Sequence, residues 1–174
     1  MNQTKPKGKI SFVLFRLTYS KATQKQLFMP VHFSDREMKK AWKNNLQAYD
    51  LAQTKTNAHR LLLFYSTECG LKAALMKRQS KTSTEGCQEI LGLGHNINRL
   101  LDTLNAEQNL RLPNKIKMIS SKEVSVDEIN QMWRYGGEAH NKRDQNGVLV
   151  KLTDEDLEKH LVRISNWIKG ELHS

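Results

Sequence analysis

Arg134 and His140 lie six residues apart in the segment Trp133-Arg134-Tyr135-Gly136-Gly137-Glu138-Ala139-His140-Asn141-Lys142. A guanidinium holds a phosphate in a planar fork and stays charged throughout the physiological range. An imidazole takes up or releases a proton near neutral pH. One to hold the phosphate and one to move the proton are a minimal kit for cleaving RNA through its own 2′-hydroxyl, with no metal. In a straight α-helix, six residues turn the side-chain direction by about 240° net, so the pair would not share a face. Gly136-Gly137 changes this, since each glycine weakens a helix by about 1 kcal/mol relative to alanine. A kink or helix end there lets Arg134 and His140 converge. Replacing both glycines with alanine is then expected to straighten and stabilise the helix, provided neither needs a positive φ. Glu138 is placed to orient the imidazole, Asn141 is a further auxiliary polar group, and Lys142 and Arg143 add phosphate contacts. A plainer arrangement uses the same residues: the glycines as thin spots where helices pack closely, with Arg134 paired to Glu68.

The charge balance points the same way. Twenty-eight Lys and Arg face eighteen Asp and Glu in 174 residues, a net charge of +10. Such an excess suits a polyanionic partner such as RNA or another nucleic acid. It also suits solubility alone, or an acidic partner protein. Lys5, Lys7 and Lys9 concentrate charge in an N-terminal arm and are further candidates for nucleic-acid contact. No run of about 18 apolar residues occurs, so no membrane span is expected. The partly apolar stretch from Ile10 to Leu17 carries Arg16 and lacks a small-residue cleavage site, so it does not read as a signal peptide. Cys69 and Cys87 are the two cysteines. They do not form a secreted disulfide framework, and a reducing, cytoplasmic setting is expected.

Several chemistries have no motif here. There is no Gly-x4-Gly-Lys-Ser/Thr loop, and Gly92-x-Gly94 is too short for a dinucleotide fingerprint. No Gly-x-Ser-x-Gly elbow occurs. The cysteines stand apart and the six histidines are scattered, so neither a metal site nor a cofactor is expected.

The elements that must position Arg134 and His140 are helical. Residues 1–33 read as a basic arm and an irregular or short-strand extension, and residues 34–174 as one helical domain. Ser34-Asp35-Arg36-Glu37 is a capping box that opens a helix to about Gln53, with Met38, Trp42, Leu46 and Tyr49 on one stripe. A second helix runs from about Ala58 to Lys77, apolar nearly all round and therefore central, with Glu68 in need of a buried partner. Gly92 and Gly94 mark a turn. A short helix spans His95 to Asn105, with His95 or Asn96 as its cap. Ser125-Val126-Asp127-Glu128 starts the helix that leads to Arg134. Thr153-Asp154-Glu155-Asp156 opens the last, striped by Leu157, Leu161, Ile164 and Ile168. The sum is an all-α, up-and-down bundle of about five helices.

Three segments resemble the HEPN superfamily (higher eukaryotes and prokaryotes nucleotide-binding). Arg134-x5-His140 fits its Arg-x4-6-His motif. Glu68-Cys69-Gly70-Leu71-Lys72-Ala73-Ala74-Leu75 resembles its long helix, and Gly94-His95-Asn96-Ile97 its Gly-His-x-Leu helix start. They stand in the family's order and cover roughly residues 35–172. The resemblance implies a homodimer with two Arg134/His140 pairs in a shared cleft. It implies metal-independent RNA cleavage to a 2′,3′-cyclic phosphate, in a toxin, stress-response or anti-phage defence system. Tyr135 stands where nucleolytic members often carry a small polar residue. Members with Arg-Tyr include non-catalytic subunits that bind nucleic acid or a partner enzyme, which is the alternative reading.

Overall fold

The computed structural model describes residues 31–139 and 153–173. Lys5, Lys7 and Lys9, the possible strand near Ile10, and His140, Asn141, Lys142 and Arg143 lie outside the described residues.

The chain is mostly helical. Helix α1 spans Asp35–Leu51. Ser34 caps it by accepting from the Glu37 amide at 3.3 Å, while the Glu37 carboxylate accepts from the Ser34 amide at 2.7 Å. The reciprocal bonds satisfy two amides that a helix start would otherwise leave open. Met38, Trp42 and Tyr49 are buried along the expected stripe, with Leu46 packed half-buried beside them. Helix α2, Asn57–Arg78, is the central one. Its buried run includes Leu63, Phe64, Leu71 and Ala73 to Met76. Two hydroxyls inside that run spend their protons on carbonyls, Ser66 on Trp42 at 2.8 Å and Thr67 on Leu63 at 2.9 Å. Buried polar groups are tolerated when paired in this way.

Helix α3, Gln88–Leu93, and helix α4, Ile97–Thr103, follow. The first of these was not expected, because six residues with two apolar side chains buried leave too short a pattern to read. Asn96, not His95, caps α4, its side-chain oxygen accepting from the Arg99 amide at 3.0 Å. A second departure is a small antiparallel hairpin of β1, Lys115–Lys117, and β2, Glu123–Ser125, with Ile116 opposite Val124. Three-residue strands are too short for alternation to show in a sequence. The Ser125/Glu128 capping box opens one 3-10 turn, Val126–Glu128, before helix α5, Ile129–Arg134.

Helix α6, Asp154–His173, buries Leu157, Leu161, Ile164 and Ile168 completely. Thr153 and Asp156 bind each other's amides at its start, at 3.0 and 3.1 Å. α2 packs against α1, α4, α5 and α6. α6 runs parallel to α2: Arg60 meets Glu158 near the start of both, and Arg78 meets Glu171 near their ends. Among the described residues no helix is long and apolar enough to cross a membrane.

Candidate functional site

Helix α5 stops immediately after Arg134. Tyr135 is its C-cap, and Gly136 adopts φ +74°. The Gly136 amide donates to the Trp133 carbonyl at 3.2 Å and the Gly137 amide to the Met132 carbonyl at 2.8 Å. This pair of bonds is the Schellman closure, which uses carbonyls the helix end would leave open. Gly136 is needed because a left-handed backbone brings a Cβ against the following carbonyl. Gly137 is needed for a different reason. A Cβ there would run into Met118 Cε and stand 3.0 Å from both Met132 Cγ and the Met132 carbonyl oxygen. The glycines therefore end the helix instead of bending it. The expectation that alanines would straighten and stabilise it is corrected by the positive φ at one position and the lack of room at the other.

Beyond the stop, each residue is tied down. The Gly137 carbonyl accepts from Asn57 Nδ2 at 2.9 Å, and the Glu138 carbonyl from the Ile119 amide at 3.0 Å. The Ala139 amide donates to Asp154 Oδ1 at 3.2 Å, and Met118 bridges Ala139. The same Asp154 oxygen accepts from Trp133 Nε1 at 2.9 Å. Its other oxygen lies 3.6 Å from Arg60, whose Nε binds Glu158 at 2.5 Å. Glu158 in turn accepts from the Tyr49 hydroxyl at 2.9 Å. One buried carboxylate at the start of α6 thus clamps both sides of the turn, at Trp133 and at Ala139. The fixed backbone reaches the residue before His140.

Arg134 is exposed, and its Nη2 donates to the Tyr65 hydroxyl on α2. That hydrogen bond raises the pKa of the guanidinium further, so the side chain is a permanent positive charge. Arg134 is not paired to Glu68. Glu68 is buried at 6% exposure. It accepts from Lys72 Nζ at 2.5 Å on one oxygen and lies 2.9 Å from His95 Nδ1 on the other. Lys72 has the advantage of position, four residues on along the same helix face. His95, one of the two residues expected as the cap, leaves that place to Asn96 and reaches Glu68 across from the turn before α4. The rings of Tyr65 and His95 stand 6.4 Å apart. Beside α2, Arg134 and Tyr65 thus form one polar pair, and His95, Glu68 and Lys72 a second group, with only a tilted ring contact between the two.

Glu138 is exposed and, with Met118, Ile119, Ser120, Gly136 and Gly137, lines a groove of about 310 Å³. Tyr135, beside Arg134, is 79% exposed. Cys69 is no nucleophile: burial, then the adjacent Glu68 charge, push its thiol up to about 11. Among the described residues no three His, Cys, Asp or Glu side chains gather as a metal set.

Tyr65, Asn57 and Asp154 were not singled out from the sequence as parts of this site. The signal for Tyr65 was present, since it precedes Glu68 by three residues and must share its helix face. Asp154 was visible only as an acid at a helix start. No protein-family model, no curated protein and no solved structure matches the chain.

Proposed function

We propose that the protein is a metal-independent RNA endonuclease of the HEPN type, an up-and-down helical bundle built around α2. The observation that carries this reading is the helix stop at Gly136-Gly137. It leaves the Arg134 guanidinium exposed at a helix end and joins it to the chain before His140 through a turn held at every residue. Arg134 binds the scissile phosphate and stabilises the charge that develops on its oxygens. His140 moves a proton to or from the reacting oxygens. The 2′-oxygen attacks phosphorus, the bond to the 5′-oxygen breaks, and the products are a 2′,3′-cyclic phosphate and a 5′-hydroxyl. Lys142, Arg143 and the arm carrying Lys5, Lys7 and Lys9 follow the phosphate backbone, in keeping with the net charge of +10. The exposed Tyr135 ring offers a surface on which an unpaired base stacks. A homodimer, as the resemblance implies, brings two such sites together.

The test is incubation of RNA with purified protein in EDTA, comparing wild type with His140→Ala. Cleavage by the wild type alone supports the assignment, and equal cleavage by both ends it. One observation favours a second reading, a non-catalytic subunit that binds nucleic acid: Arg134 is already engaged by the Tyr65 hydroxyl and is followed by a bulky, exposed tyrosine. That reading is supported if wild type binds RNA with an affinity that falls steeply with salt yet cuts none.

A further inference from the structure

The turn after Arg134 carries a groove that phosphate binding leaves unused. Gly136, Gly137 and Glu138, together with Met118, Ile119 and Ser120 of the hairpin loop, enclose about 310 Å³, the lower end of the range for small-molecule sites. We infer that this groove takes an unpaired guanine of the RNA whose phosphate Arg134 holds, with the Glu138 carboxylate accepting from guanine N1–H and N2–H. The inference rests on the reading of this turn as an RNA-binding site, given above, and names the base it selects. It does not need the RNA to be cut.

The groove has the make-up of a nucleobase site. Ile119 is 58% exposed, and with Met118 it supplies apolar surface for a flat ring. Gly136 presents bare backbone, and a Cβ built there would stand in open space, so a ring can approach closely. The polar side chains are two, Glu138 and Ser120, both exposed. Among the described residues neither side chain makes a hydrogen bond or ion pair. The main chain that carries Glu138 is fixed. Its carbonyl accepts from the Ile119 amide at 3.0 Å, and the next amide donates to Asp154 at 3.2 Å. A group that reads a ligand needs this kind of support.

The chemistry of a carboxylate chooses the base. It only accepts hydrogen bonds, and its charge repels the phosphate backbone that Arg134 attracts. Only guanine offers it two neighbouring donors, N1–H and N2–H, one for each oxygen. Adenine and cytosine set an acceptor nitrogen beside their amino group, and uracil sets its single N–H between two carbonyls. The Ser120 hydroxyl is the matching donor for guanine O6. Arg134 and Gly136 are two residues apart, at most about 7 Å, a reach that one nucleotide covers. Between them in sequence, the exposed Tyr135 ring offers a stacking face for a neighbouring base.

The experiment is RNA affinity by fluorescence anisotropy at one fixed salt concentration. The probes are 2′-O-methyl oligouridylates, which lack the attacking hydroxyl, each carrying one internal guanosine, inosine, adenosine or cytidine. Wild type, Glu138→Gln and Arg134→Ala are compared, with thermal melting on the same samples. Wild type should hold the guanosine strand about ten- to hundredfold more tightly than the adenosine strand. Inosine, which lacks only the 2-amino group, should bind about tenfold more weakly than guanosine, a result that needs no altered protein. Glu138→Gln should bring the guanosine-to-adenosine ratio close to one. A ratio near one in wild type overturns the inference. So does a ratio that survives in Glu138→Gln, even where every strand binds more weakly. Binding of no strand by wild type, or of every strand as tightly by Arg134→Ala, ends the RNA-binding reading of the turn and this inference with it. Guanosine selection by a protein that cuts no RNA leaves the inference standing and ends only the endonuclease reading.

Discussion

Replacing Gly136 with alanine is expected to destabilise the protein, although alanine is the better helix former. The residue sits at φ +74°, where an L side chain costs about 1–2 kcal/mol. For a chain of this length, each kcal/mol moves the melting temperature by roughly 2–4 °C, so a fall of roughly 2–8 °C is expected. Gly136→Asn should fall less, because asparagine tolerates the left-handed region. Gly137→Ala fails through contact instead. Its new methyl meets the flexible end of Met118 and also lies 3.0 Å from the Met132 carbonyl oxygen, which is backbone. Overpacking of this kind costs roughly 1–3 kcal/mol. Shortening Met118 to alanine in the same chain should relieve the first contact and leave the second. Both substitutions shift the backbone that follows Arg134, and a displacement of about 1 Å costs on the order of a hundredfold in rate. Thermal melting and an RNA-cleavage assay on each variant measure the two effects. A Gly136→Ala protein that melts at or above the wild-type temperature refutes the argument, because it would mean the helix continues through residue 136.

Asp154→Ala should be among the most damaging single changes, at about 2–6 kcal/mol by chemical denaturation, since it leaves Trp133 Nε1 and the Ala139 amide without their acceptor at about 1–3 kcal/mol each, while Arg60 keeps Glu158. A loss no larger than that of an exposed aspartate would contradict the clamp. Tyr65→Phe removes the acceptor that positions Arg134, and should slow RNA cleavage while leaving melting within a few degrees; an unchanged rate would detach Tyr65 from the site. Acid sensitivity follows from the capping carboxylates. Bonds from Ser34, Ser125 and Thr153 hold Glu37, Glu128 and Asp156 below the ordinary carboxylate range. Their folded pKa values lie under the unfolded ones, so the stability they add is complete above about pH 4–5 and is lost as the pH falls through the folded values. Asp156→Asn removes this titration altogether and should therefore flatten the acid limb of a stability-against-pH curve, and an unchanged limb would count against this reasoning.

Much of the fold was legible because its helices announce their own ends. The Ser34/Glu37 box and the stripe from Met38 to Tyr49 gave α1, and the all-round apolar run gave α2 as the central helix. The hairpin of residues 115–125 was not legible, because Lys-Ile-Lys and Glu-Val-Ser hold one apolar side chain each, and only pairing reveals them as strands. At the site, the adjacent glycines correctly marked a break at the end of α5. Their mechanism was not readable, since a sequence does not disclose that position 136 takes a positive φ or that Met118 crowds position 137. Glu68 plainly required a partner, but burial alone does not choose among cations. The i,i+4 spacing favoured Lys72, and the long-range contact with His95 depends on how the turn before α4 packs.

The central claim is that the attacking group belongs to the RNA itself, with the protein supplying charge and proton transfer. The most direct measurement is cleavage in EDTA of an RNA oligonucleotide and of its fully 2′-O-methylated counterpart, with product ends assigned by mass spectrometry. The account predicts a 2′,3′-cyclic phosphate and a 5′-hydroxyl from the first substrate, none from the second, and neither product with Arg134→Ala. Cleavage of the 2′-O-methyl strand, 5′-phosphate ends, or no cleavage of unmodified RNA would contradict it.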